Sequence, residues 1–146
     1  MTPADDHAHP DRAWEAELTL GFEELDHDHR HQARAVAALE GAVRRGGDPR
    51  VIEGFLLGLV ESTQEHFESE QQLMQRWNYP LYEAHAHSHE RLMSELRSLR
   101  EDHAAGRLVV DEATLAKLRH WLGDHIKAMD HALAEFLKQR ETTKDS

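Results

Sequence analysis

Apolar residues recur along this chain in four long stretches at the three- and four-residue intervals of an α-helix, and short polar segments carrying glycine or proline divide the stretches. The first, about residues 22–45, puts Leu25, Val36, Leu39 and Val43 on one face. It is entered through Gly21 after Trp14, Leu18 and Leu20, which predict an extended arm packed across the body. Gly46-Gly47-Asp48-Pro49 breaks the pattern and restarts it, with Asp48 suited to an N-cap and Pro49 to the first helical position. The second stretch runs to about Trp77, where Asn78-Tyr79-Pro80 stops it, and the third from about Leu81 to Gly106, a residue suited to a left-handed C-terminal cap. Asp111 is placed to cap a fourth, which runs to about Lys138 with Leu115, Leu118, Leu122, Ile126, Met129, Leu133 and Phe136 near the 3.6-residue period. Four such helices on short connections predict an all-α, antiparallel up-down four-helix bundle with an N-terminal extended arm. Residues 1–12, polar and without periodicity, predict a mobile tail, residues 13–140 the bundle, and residues 141–146 a polar C-terminal tail.

Composition narrows the function. The chain of 146 residues suffices for one continuous core, and 39% hydrophobic beside 31% charged residues suits helices with an apolar stripe and a solvated face. With 28 acidic against 17 basic side chains, the net charge of −11 repels phosphate backbones and anionic head groups, so neither nucleic acid nor a membrane surface is expected as a partner. No apolar run is long enough to span a bilayer, and the N-terminus is acidic rather than basic and then apolar, which predicts a soluble, cytoplasmic protein. The chain has no cysteine, so any metal site must be built from nitrogen and oxygen donors.

The 13 histidines are the exception in an otherwise ordinary composition. A single histidine on a bundle helix is ordinarily hydrogen-bonded or partly exposed, and a single glutamate is ordinarily solvated. Pairs change that reading. His66 and Glu70, four apart on the second helix, leave the same face one turn apart, and His85 and His89 repeat the arrangement on the third. The fourth offers His125 and Asp130, whose five-residue spacing swings them about 140° apart on an ideal helix. The first offers His29, three residues after Asp26. His27, His31, His87, His103, His120 and His131 read as solvent-facing or outer groups, and His7 and His9 as incidental to the tail.

Taken in order, Asp26-x-x-His29, His66-Phe67-x-x-Glu70, Tyr79-Pro80 before His85-x-x-x-His89, and Trp121-Leu122-x-x-His125-Ile126-x-x-x-Asp130 resemble the hemerythrin family in its bacterial single-domain branch, over about residues 14–137. The resemblance implies a non-haem di-iron centre: His85, His89 and His125 on one iron, His29 and His66 on the other, and Glu70 and Asp130 bridging, together with an oxo or hydroxo bridge. That set leaves one position open on the iron with two histidines, where dioxygen would bind reversibly as a hydroperoxide. Phe67, Trp121 and Leu122, beside the ligands, are candidates for an apolar wall around the dioxygen or simply for core. Bridging would also ease the spacing of His125 and Asp130. Two positions depart from the family pattern. Gln71 stands where relatives commonly have a second glutamate, and Asp28 where they commonly have glutamine; both bear on local charge.

The resemblance implies oxygen storage, delivery or sensing rather than enzymatic turnover, with weak di-iron oxidase or peroxidase activity as a side property. A di-iron enzyme acting on peroxide, dioxygen or nitric oxide, a redox or oxygen sensor module, and a bundle holding only adventitious metal stand as alternatives. Neither a monomer nor a homo-oligomer is singled out.

Overall fold

The computed structural model describes residue 16 and residues 18–145, with the side chains of residues 143–145 left aside; the expected tail over residues 1–12, with His7 and His9, and Trp14 lie outside the described residues. Helix α1 spans Glu23–Arg44, α2 Pro49–Arg76 and α3 Tyr82–Ala104. The fourth rod consists of α4 (Glu112–His125), one π-helical turn (Ile126–Asp130) and α5 (His131–Asp145), running on without a break in helical backbone angles. Among the described residues there is no strand. α1 packs on α2 and α2 on α3, and α4 closes the bundle against both α1 and α3. No helix of the described residues is long and apolar enough to cross a membrane.

The boundaries follow from local chemistry. Asp48 Oδ1 accepts from the backbone N–H groups of Arg50 and Val51 and starts α2 with Pro49 behind it. Asp111 Oδ1 accepts from the N–H and hydroxyl of Thr114 and starts α4. α3 ends at Gly106, whose φ of +77° is the left-handed conformation glycine adopts without strain. α1 has no side-chain N-cap; instead Asp26, in its first turn, accepts from the N–H groups of Leu20 and Gly21 at 2.7 and 3.0 Å and fixes the arm to the helix. Leu18 on that arm is buried and Leu20 packs between the two halves of the core. The last helix continues past the expected end near Lys138 to Asp145, because residues 139–145 contain neither glycine nor proline and Gln, Arg, Glu and Lys are good helix formers.

The core is divided. A large cluster around Val36, Leu39, Leu56, Leu59, Leu96, Leu115 and Leu118 fills one end, and a smaller one of Phe22, Leu25, Leu73, Met74, Leu133, Ala134 and Leu137 fills the other. Between them lies a layer of buried polar side chains.

Candidate metal centre

Seven ionisable side chains occupy that layer: His29 from α1, His66 and Glu70 from α2, His85 and His89 from α3, His125 at the end of α4 and Asp130 at the end of the π turn. None is more than 6% exposed. Isolated, such groups would be costly to bury, so their arrangement must compensate them.

The two carboxylates divide the histidines into two lobes. Glu70 Oε1 lies 2.6 Å from His85 Nε2, 2.9 Å from His89 Nε2 and 3.8 Å from His125 Nε2. Its other oxygen, Oε2, lies 3.2 Å from His66 Nε2 and 3.9 Å from His29 Nε2. Asp130 divides the same way, with Oδ1 at 2.8 and 3.2 Å from His85 and His125 and Oδ2 at 2.8 Å from His29. Two donor groups result: Glu70, His85, His89, His125 and Asp130, and His29, His66, Glu70 and Asp130. In each, the ligand atoms lie within 4.8 Å of one another, close to the span of about 4.2 Å between trans ligands on bonds of about 2.1 Å. Although the carboxylates are near, Nε2 of His66, His85 and His125, Glu70 Oε2 and Asp130 Oδ1 are buried without a directed hydrogen bond. Donors aimed at shared cations rather than at one another leave that pattern, and the donor set, all nitrogen and oxygen, fits a pair of first-row transition metals.

The five-residue gap between His125 and Asp130 is already resolved by the backbone. In a π turn the hydrogen bond runs from residue i to i+5, so Ile126–Asp130 brings residues five apart onto one face. The same turn shifts the apolar register by one position, burying Asp130, Ala134 and Leu137 where a regular helix would bury Met129 and Phe136, which are only half-buried.

Residues 20–137 match the model of the hemerythrin HHE cation binding domain. The chain belongs to the hemerythrin family. It is 30% identical over 128 residues to a bacteriohemerythrin of Stenotrophomonas maltophilia (strain R551-3), covering 86% of this chain and 80% of that protein. It is 29% identical to a myohemerythrin of Sipunculus nudus over 117 residues, 80% of this chain and 86% of the relative. A crystal structure of wild-type hemerythrin superposes with a TM-score of 0.75 at 27% identity, covering 82% of this chain and 92% of that one.

In this hemerythrin fold the outer nitrogens of His89 and His125 are hydrogen-bonded to the preceding helix and that of His66 lies within ion-pair distance of a carboxylate on it, whereas those of His29 and His85 have no hydrogen-bond partner among the described residues. His66 Nδ1 on α2 lies 3.1 Å from Asp28 Oδ2 on α1. His89 Nδ1 on α3 donates to Gln71 Oε1 on α2 at 2.9 Å, and His125 Nδ1 pairs with Ser88 Oγ on α3 at 2.8 Å. Such partners fix the ring and leave Nε2 turned to the cluster. Asp28 and Gln71, the two departures from the family pattern, therefore sit directly behind imidazoles of the cluster. Ser88 carried no signal in the sequence.

Charge follows position. Burial opposes charge on His66, yet Glu70 and Asp28 lift it to about 10; burial opposes charge on His125, yet Asp130, then Glu70, lifts it to about 9. His85 is raised against its burial by Asp130 and Glu70, whereas burial prevails at His89 and lowers it. Burial pushes Glu70 up, but the surrounding histidines, His66 first, hold it well below the carboxylate range. Asp130 is likewise lowered, against burial and the repulsion of Glu70, by the nearby charge of His125 and by the hydrogen bond with His29.

Of the three candidate wall residues, Phe67 is buried at the centre, its ring stacked 3.9 Å from that of His89 and within 5.6 Å of those of His66 and His125. Leu122 is buried in the large core cluster. Trp121 is half-buried at the outer edge, in the groove it shares with Ser88, His125 and Met129, with Lys117 Nζ 5.8 Å from its ring. His27, His31, His87, His120 and His131 are exposed, and His103 pairs with Glu53 at the far end of the bundle.

Proposed function

We propose that the chain binds dioxygen reversibly at a non-haem di-iron centre, with His85, His89 and His125 holding one iron, His29 and His66 the other, and Glu70 and Asp130 bridging. The observation that carries this reading is the division of both carboxylates, one oxygen of each facing the three-histidine lobe and the other the two-histidine lobe. When bound, the iron pair supplies two electrons to dioxygen and recovers them on release. The chain's part is to hold five neutral imidazoles with Nε2 inward, three of them (His66, His89 and His125) backed by Asp28, Gln71 and Ser88, and to keep water out of a layer closed on both sides by apolar core. Phe67, flat against His89, fixes that ring and fills space that water would otherwise enter. The absence of cysteine in the chain and the lack of a membrane-crossing helix among the described residues support a cytoplasmic location.

Anaerobic loading with ferrous iron, followed by oxygen and then deoxygenation, tests the reading. We expect two irons per chain, a visible charge-transfer band on oxygenation, and its disappearance when oxygen is removed. Glu70→Ala, which takes the shared carboxylate from all five histidines, is expected to lose most of the bound iron. Immediate irreversible oxidation with continuing consumption of peroxide or oxygen would instead identify a di-iron enzyme.

A further inference from the structure

One buried polar pair in the core has no part in the metal-holding set. Gln32 is 2% exposed and Thr63 fully buried, and Gln32 Nε2 donates to Thr63 Oγ1 at 3.0 Å across the α1–α2 interface. Gln32 follows His29 by three residues on α1 and Thr63 precedes His66 by three on α2, so the antiparallel helices put the pair on the same faces as those two histidines, one turn further into the large core. His29 and His66 themselves meet across the same interface, with ring centroids 5.1 Å apart. In the opposite direction the same helices offer Leu25 and Leu73, both buried and apolar. The next layer beyond the pair, Val36 and Leu59, is apolar too.

The bond between them uses one of the two amide N–H groups of Gln32 and one lone pair of the Thr63 hydroxyl. The second amide N–H and the hydroxyl proton of Thr63 remain over from it. A pair needed only to satisfy itself would be simpler as two apolar side chains of the same volume, since a buried polar group stabilises little unless its bonds are complete.

We propose that Gln32 and Thr63 form a hydrogen-bond donor site for small ligands that carry negative charge when bound on the two-histidine side, and so set which ligands that side retains. The proposal rests on the di-iron reading. Dioxygen becomes negatively charged when the irons reduce it, and a small anion such as azide is charged from the start; both accept hydrogen bonds, which are about twice as strong to a charged acceptor as between neutral groups. The pair therefore slows ligand release more than it changes ligand entry.

The experiment compares the wild-type chain with Gln32→Met and Thr63→Val, both close to the original volumes, after loading each with iron. The readouts are iron per chain, azide affinity of the diferric protein by titration, the rate of dioxygen release, and the Tm of the metal-free chain. If wild type fails to hold two irons or to release dioxygen, the di-iron carrier reading itself is wrong. With that reading intact, we expect both variants to load fully and to bind azide roughly ten- to hundredfold more weakly, with dioxygen release faster by a similar factor. Azide affinity and release rate within twofold of wild type in both variants, whatever the Tm, would overturn the proposal and leave the pair as a register device between α1 and α2.

Discussion

Glu70 touches more of the centre than any other residue, and together with Asp130 it raises His66, His85 and His125 against their burial. In the metal-free chain His66, lifted to about 10, and His125, lifted to about 9, are imidazolium ions at neutral pH, paired with buried carboxylates. Both folded values lie above the ordinary histidine value of 6.5, so the stability they contribute is fully present below about pH 6.5 and is lost as pH rises through about 9 to 10. The Tm of the metal-free protein is therefore expected to fall between pH 7 and 10, as a thermal-melt series would record. Metal binding has the opposite dependence, because a ligand imidazole must be neutral. Loading at pH 7 is expected to release about two protons per chain, measurable with an indicator in weakly buffered solution. Loading without proton release would show that the two rings are already neutral and that charge pairing does not hold the empty layer. His66 with Glu70 and His85 with His89 were legible from spacing alone, since i,i+4 pairs declare a shared face, whereas His29, His125 and Asp130 were legible only through the family resemblance. Their outer partners were not. Asp28, Gln71 and Ser88 each serve a ring on the next helix, and periodicity within one helix says nothing about its neighbour.

At the scale of elements, the helix ends were written in Asp48-Pro49, Gly106 and Asp111, whose chemistry is local. The π turn was not, although its trace is present: His125 and Asp130 are five apart, and the apolar period slips by one between Ile126 and Leu133. A π turn accommodates one residue more than the helix needs. Removing exposed Ala128 from it would leave His125 and Asp130 four apart in a regular helix and keep Leu133, Ala134 and Leu137 in their present phase. That deletion is expected to preserve helical content and to change the Tm of the metal-free chain by only a few degrees. Removing exposed Ala116 in α4 would instead rotate everything after it by about 100° and abolish cooperative melting. The cost of losing Ala128 should appear at the metal. Asp130 reaches across to His29 on α1 at 2.8 Å, a reach the wider turn supports, so iron content is expected to drop from two toward one. Circular dichroism, melting and metal analysis on the two deletions decide this. If they behave alike, the π turn is not an accommodated extra residue.

At the scale of the molecule, a layer of charge divides the core, and metal binding and folding must be coupled across it. The small cluster is closed by Leu20 and Phe22 before α1 on one side and by Leu133, Ala134 and Leu137 of α5 on the other. In the metal-free chain the layer holds two carboxylates and two imidazolium ions in little water, which weakens the connection between the clusters. Metal held, as proposed, by side chains from all four rods would reconnect them. A ligand present at a thousandfold over its dissociation constant stabilises the native state by about 4 kcal/mol, which in a domain of this size corresponds to a Tm change on the order of 10 °C. Chelation of the iron-loaded protein is expected to lower Tm by at least that much, and the fall should be absent in Glu70→Ala. Amide exchange locates the effect. Without metal, amides around Leu133, Ala134 and Leu137 are expected to exchange well before those around Leu56 and Leu59, because the small cluster can open with the large one intact. With metal, opening the small cluster requires Asp130 to leave the centre, so the two regions should approach the same protection. Equal exchange in the metal-free chain would mean that the two clusters already unfold as one unit, and the layer between them would then be a continuous part of the core.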